Sequence, residues 1–167
     1  MYRAWACLFV ILFASTTQAQ LQFSTPRFSL RAASVEPVEG WQTMRVEHCQ
    51  GERCIVWVSP TVALTESDIE QAQPEVSPNG DSDTGLIQRV RIVLTDVGAK
   101  KLHDLTEAQQ RKHIVLIVDD KVLWAPTVNA VHDAARKESL LAGNTSHGLT
   151  DEEVERIMAI LRPAQPR

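Results

Sequence analysis

The sequence predicts an α+β fold: a mixed, largely antiparallel β-sheet with about three helices packed on one face. Three observations carry that prediction. Short apolar runs of strand character outnumber helical stretches. Two segments, LTESDI and LTDEEV, open helices with capping signals. Between Val90 and Ala130 the chain runs through a strand, a capped helix, a fully apolar strand and a turn, with every local signal in agreement. A length of 167 residues suits one domain, with 44% hydrophobic and 23% charged residues as in a globular protein.

The first twenty residues, MYRAWACLFVILFASTTQAQ, read as a secretory signal. Arg3 is the positive start, Ala4 to Ala14 the apolar run, and Thr17-Gln18-Ala19 the cleavage site. That run is well short of the ~20 residues of a spanning helix, which leaves an uncleaved anchor as the alternative. Cys7 stands near the start of the run, whereas a lipid-accepting cysteine follows it, so a lipoprotein is not expected. No later stretch is apolar enough to span a membrane. The expected product is a periplasmic or secreted protein of residues 20–167, whose formal charge moves from -4 to -5 once Arg3 is gone. Without a Lys/Arg block it lacks the footprint of nucleic-acid or anionic-membrane binding.

Residues 20–54 form the first expected unit, with a strand from Arg27 to Ala33, a VEPVEGW turn, and a hairpin of Trp41–Glu47 with Ile55–Pro60. Cys49 and Cys54, in HCQGERC, clamp its loop as a disulfide in an oxidising compartment. A metal site using His48 and the two thiols is the rival reading, and it lacks a second ligand pair. Residues 55–162 form the main domain, followed by a tail at 163–167. Thr65 caps a short helix, with Asp68 completing a variant capping box and Gln73-Pro74 ending it. Residues 74–86, PEVSPNGDSDTGL, are dense in turn formers and read as an exposed loop.

Val90, Ile92 and Leu94 alternate with less apolar neighbours as one strand face. Thr95 caps a helix with Ala99, Leu102 and Leu105 on its inner side, and Gly98 lets it approach the sheet. Ile114 to Val118 is apolar without alternation, the mark of a central strand covered on both faces. Asp119-Asp120 turns the chain into Lys121–Trp124, although the second turn position favours glycine. Ala125-Pro126 closes that run, and Ser139 to Ala142 is the last strand. Thr150 and Glu153 make a capping box for a helix whose stripe is Val154, Ile157, Met158 and Leu161.

Taken together, IVLTDVGAKKLHDLT, HIVLIVDDKVLWAPTVN, LAG and LTDEEVERIMAIL resemble the head subdomain of the first periplasmic domain of SecD, the accessory membrane component of bacterial protein export. The resemblance covers roughly residues 55 to 162. It implies an α+β head that contacts polypeptides or envelope partners. This sequence departs from the pattern at Asp120, where the family usually has Gly, at Ala134-Ala135-Arg136, and in a long 143–149 loop. No transmembrane bundle accompanies it, so coupling of transport to a proton gradient is not carried over.

No catalytic residue is proposed and no cofactor or metal is expected. The histidines at 48, 103, 113, 132 and 147 have no ligand spacing, and His132-Asp133 and Asp119-Asp120 are the only suggestive neighbours. The Asn144-Thr145-Ser146 sequon reads as a polar loop. A binding role therefore comes first: a free sheet edge can accept an extended peptide through main-chain hydrogen bonds. The candidate surface is Lys121 to Val131, with Lys121, Leu123, Trp124, Thr127, Val128 and Val131 as contact residues. Trp124 and Val128 are either apolar anchors there or core. A dedicated adaptor or inhibitor of one envelope partner is the second reading, and a hydrolase the third.

Overall fold

The computed structural model describes residues 26–47, 49, 54–78, 86–142 and 148–162. The expected signal at 1–19, the tail at 163–167, His48, His147 and the sequon lie outside the described residues. Among these described residues, eight strands and two α-helices follow in the order β1 (Phe28–Ser34), β2 (Gln42–Arg45), β3 (Ile55–Thr65), β4 (Ile69–Pro78), β5 (Leu86–Leu94), α1 (Asp96–Ala108), β6 (His113–Val118), β7 (Lys121–Trp124), β8 (Glu138–Ala142) and α2 (Asp151–Leu161).

The α+β class is as expected, with two differences in its parts. The strands form two sheets, one of five in the order β2-β3-β1-β6-β7 and one of three in the order β4-β5-β8. All their ladders are antiparallel, and parallel pairing occurs only in isolated bridges such as Val46 to Val122. Two α-helices are present among the described residues instead of about three. The segment expected to make the extra one forms a single 3-10 turn, Glu66–Asp68, and then enters β4.

The physical reason lies in what the Thr65–Asp68 signal is used for. Asp68 is buried; its carboxylate accepts the Thr65 N–H at 2.9 Å and the Lys101 ammonium at 2.8 Å. Its carbonyl accepts the Thr95 N–H at 2.9 Å. The turn is therefore a dock for the start of α1. Gly98 belongs to this contact, because a Cβ there would overlap the Asp68 carbonyl oxygen. Its small size serves approach to this turn more directly than approach to the sheet.

Pro74 does not end a helix. It sits in β4 opposite Val90, and Pro78 sits opposite Leu86. In an antiparallel ladder, alternate residues turn their N–H and C=O groups to opposite sides. Leu94 donates to the Lys137 carbonyl beyond β8, so Val90, Ile92 and Leu94 bond on that side while Arg89, Arg91 and Val93 bond to β4. Pro74 and Pro78 consequently aim their donorless nitrogens at the outer edge, where a strand tolerates proline.

Both helices lay their apolar stripes on one cluster that includes Phe28, Leu30, Val90, Ile92, Leu102, Leu116 and Ile157. The other face of the five-stranded sheet carries Ala33, Val46, Val56, Val58, Val115, Ile117 and Val122. Strand β6 divides its side chains between the two clusters, with Ile114, Leu116 and Val118 in the first and Val115 and Ile117 in the second. Burial on both faces is why it lacks alternation. Each fully buried side chain of this size contributes on the order of 1.5–3 kcal/mol. The two edges of this sheet meet, since Val46 bridges Val122 and the Glu47 N–H donates to the Val122 carbonyl at 2.8 Å. β1 and β2 come from the segment expected to precede the main domain, and they pair with β3 and β6 in this same sheet.

The caps of α1 and α2 form as expected: Thr95 Oγ1 accepts from the Gly98 N–H at 2.9 Å, and Thr150 and Glu153 close a full capping box. Asp119 and Asp120 both adopt positive φ, 46° and 63°, as a tight two-residue hairpin requires. Arg27 holds the first of them, its Nε 2.7 Å from Asp119 Oδ1, and this bond keeps the Asp119 carboxyl below its ordinary range.

Candidate functional site

The site is assembled around Trp124, at the end of β7. A register irregularity where β6 meets β7 pairs Trp124 with Leu116 and Val122 with Ile117, so Leu123 and Trp124 both lean on the helix-covered cluster: Leu123 is 2% exposed within it, while Trp124 is half-buried at its margin. The chain that follows is fastened beside β6. Ile114 donates to the Pro126 carbonyl at 3.2 Å, Val128 to the Lys112 carbonyl at 2.8 Å, and Arg111 to the Val128 carbonyl at 2.9 Å. Residues 130–136 are held to α1 in turn. Thr106 Oγ1 accepts the His132 N–H at 2.9 Å, and the His103 ring donates to the His132 carbonyl at 2.7 Å.

Two cavities flank Trp124. One, of about 600 Å³, includes Val46, Cys49, Arg89, His113, Pro126, Asn129 and Ala142 in its lining. The other, of about 380 Å³, lies between residues 130–133 and Ser139, Leu140 and Leu141 of β8. Trp124 lines both, so together they make a trough with the 125–133 segment on one side and β8 on the other. Among the described residues β8 pairs only with β5 and forms an edge of its sheet. By the same alternation that places the prolines, Ser139 and Leu141 bond to β5, and the N–H and C=O groups of Glu138, Leu140 and Ala142 face away from it. Leu140 is 40% exposed.

The expected contact residues divide. Val128, at 5% exposure, and Leu123 belong to the core and cannot be surface anchors. Their apolar character reflects a need for burial that sequence alone does not separate from a need for a partner. Lys121 is exposed but engaged, its Nζ 2.9 Å from Glu47. Thr127 is exposed and lines the larger cavity; Val131 is half-buried and lines the smaller. Glu47 also receives Arg156 of α2 at 3.2 Å. Burial pushes the Glu47 carboxyl up, but Lys121 and Arg156 together outweigh it and hold the group below the ordinary range.

Cys49 and Cys54 form the expected disulfide, which leaves neither thiol for a metal. His132 and Asp133 are occupied in shaping their loop, with His132 Nε2 donating to the Arg136 carbonyl and Asp133 accepting from the Ala135 N–H. Among the described residues no three His, Cys, Asp or Glu side chains gather as a metal site. No described helix is long and apolar enough to cross a membrane.

Two residues that sequence reading passed over stand out. Arg89 Nε and His113 Nδ1 are buried and without a hydrogen-bond partner, and both residues line the larger cavity. Arg91, two positions along the same face, is paired with Glu75 at 2.6 Å and Glu138 at 3.4 Å. Nothing in the alternation of β5 distinguishes the paired arginine from the unpaired one.

Two antiparallel sheets around a shared helix-covered core, with a trough beside one bare edge, define the chain as an α+β head. More particularly, it belongs to the SecDF P1 head subdomain family, whose model matches residues 42–163. That family is not a known class of enzyme. Among solved structures, one described as a membrane component SecDF that enhances protein export is 20% identical, with a TM-score of 0.53. The likeness covers 82% of this chain and 63% of that one. A crystal structure of SecDF in a super-membrane-facing form is 18% identical with a TM-score of 0.53, over 81% of this chain and 19% of that one. The chain thus spans less than two thirds of these SecDF structures. No curated protein matches it.

Proposed function

We propose that this chain is a non-enzymatic binding head of the bacterial envelope, linked to protein export, that holds an extended polypeptide along the free edge of β8. The observation that carries the reading is the bare edge itself: among the described residues nothing pairs with the outward main-chain groups of Glu138, Leu140 and Ala142, which lie beside a trough walled by Trp124. Main-chain bonds at such an edge are blind to sequence, which suits capture of unfolded chains. Trp124 and Val131 offer apolar contact, with Thr127 at the larger cavity, while Leu123 and Val128 are buried in the core and Lys121 stays paired with Glu47. In this reading residues 1–19 are a cleaved export signal and the head works in the periplasm. Membership of the SecDF P1 head family supports a role in export.

A photo-crosslinking side chain in place of Leu140 tests the proposal against the same group in place of Val76, an exposed residue on the opposite edge. An unfolded, reduced polypeptide is expected to crosslink at position 140 and not at 76. Equal yields at the two positions would sink edge capture.

A further inference from the structure

We propose that the larger cavity is a carboxylate subsite, in which Arg89 and His113 hold the C-terminal carboxylate of a bound polypeptide. The inference rests on the capture reading and deepens it by assigning the chemistry of one end of the ligand. Buried side-chain polar atoms without partners are rare in folded proteins, because each forfeits its bonds to water. Here two such atoms, Arg89 Nε and His113 Nδ1, belong to residues lining one cavity. Guanidinium has donors only and stays charged, whereas imidazole can present either role through its tautomer or protonation. None of the described residues lining the cavity is acidic, so the arginine charge has no counterpart there. A carboxylate in the cavity would neutralise that charge, and guanidinium–carboxylate bonds are among the strongest and most directional in proteins.

Volume and lining narrow the ligand. About 600 Å³ is far more than a bare carboxylate needs and falls within the usual range of small-ligand sites. Val46, Val56, Ile87, Trp124 and the disulfide at Cys49 supply apolar wall. The fitting group is a carboxylate carried on an apolar residue, as at the end of a chain finishing in leucine or valine. Ala142, the last residue of β8, lines the same cavity, so a strand added to that edge would end beside Arg89.

The test is calorimetric titration of the protein with an acetylated Ala-Leu-Ala-Val-Leu peptide in three forms: free acid, C-terminal amide, and amide with glutamate as the last residue. The free acid is expected to bind at least about tenfold more tightly than the plain amide, the scale of one charge-assisted bond. If the glutamate amide matches the free acid, the C-terminal assignment is overturned in favour of a side-chain carboxylate. Arg89→Met keeps the apolar stem and removes the charge. It should bring acid and amide within about twofold of each other. Because it also removes an unpaired buried donor, it should melt no lower than the wild type; a lower melting temperature would assign Arg89 a structural role and overturn the proposal. Equal binding of acid and amide overturns the subsite but leaves edge capture standing, since capture is read separately by crosslinking at position 140.

Discussion

The two outer strands of the three-stranded sheet are built differently. β4 turns Pro74 and Pro78 outward, two positions with no donor to offer and a ring in the way of a neighbour. β8, on the other side of β5, turns Glu138, Leu140 and Ala142 outward with their main-chain groups intact. The five-stranded sheet has a third arrangement, in which β2 and β7 close on each other through Val46 and Val122. An unpaired edge invites aggregation, and folds protect their edges by such means. Among the described strands β8 is therefore the one edge left without such protection.

The comparison can be broken at β8 itself. Leu141 bonds to β5 and is 3% exposed, so Leu141→Pro removes a ladder donor and a core side chain together. It should cost at least about 3 kcal/mol by urea denaturation. Leu140→Pro removes a donor that faces outward, and it should leave the fold largely intact while abolishing crosslinking from a probe placed at Ala142. If the two variants are equally unstable, the assignment of bonding sides in β8 is wrong.

A smaller effect belongs to the entry of β4. Gly98→Ala replaces a poor helix former with the best one, yet the new Cβ meets the Asp68 carbonyl oxygen. Overpacking of this kind costs about 1–3 kcal/mol, enough to outweigh a gain in helix propensity of roughly 1 kcal/mol. A net loss of stability is expected, and a gain would show that the turn moves freely from α1.

The smallest effect is at the closed edge. The Glu47 carboxyl is held below its ordinary range in the folded chain by Lys121 and Arg156 against the opposing pull of burial. A depressed folded value means that its contribution is complete above the unfolded carboxyl range and is lost as pH falls through the folded value. Partial exposure limits that contribution to on the order of 1 kcal/mol. Glu47→Gln should therefore be less stable than wild type at neutral pH and approach it in acid. Parallel stability curves would remove Glu47 from the account of the closure.

Local signals carried much of this architecture into view. Thr95 and Thr150 cap the helices where expected, Asp119-Asp120 makes the turn, and Ile114–Val118 is the buried strand. Residues 65–78 were misleading because a capping box and a proline have the same sequence appearance whether they bound a helix or a turn and an edge strand. Trp124 and Leu123 have the same apolar character in the sequence, and only their burial in the fold separates them, Trp124 half-buried at the trough and Leu123 in the core. Arg89 carried no local signal, since an absent partner is visible only when the neighbours are in place.

By itself the sequence determined the periodicities, caps and turns, because those depend on atoms within a few positions of one another. It also carried the family resemblance, through motifs spread from Ile92 to Leu161. Only the tertiary structure decided that the strands divide into two sheets, that one sheet closes on itself, and that Pro74 lies on an outer edge. It also brought Arg89 and His113, 24 positions apart, to one cavity without partners. Those outcomes depend on pairing between distant segments, where the bonding side of each residue is set by the register with its neighbour and not by its own identity.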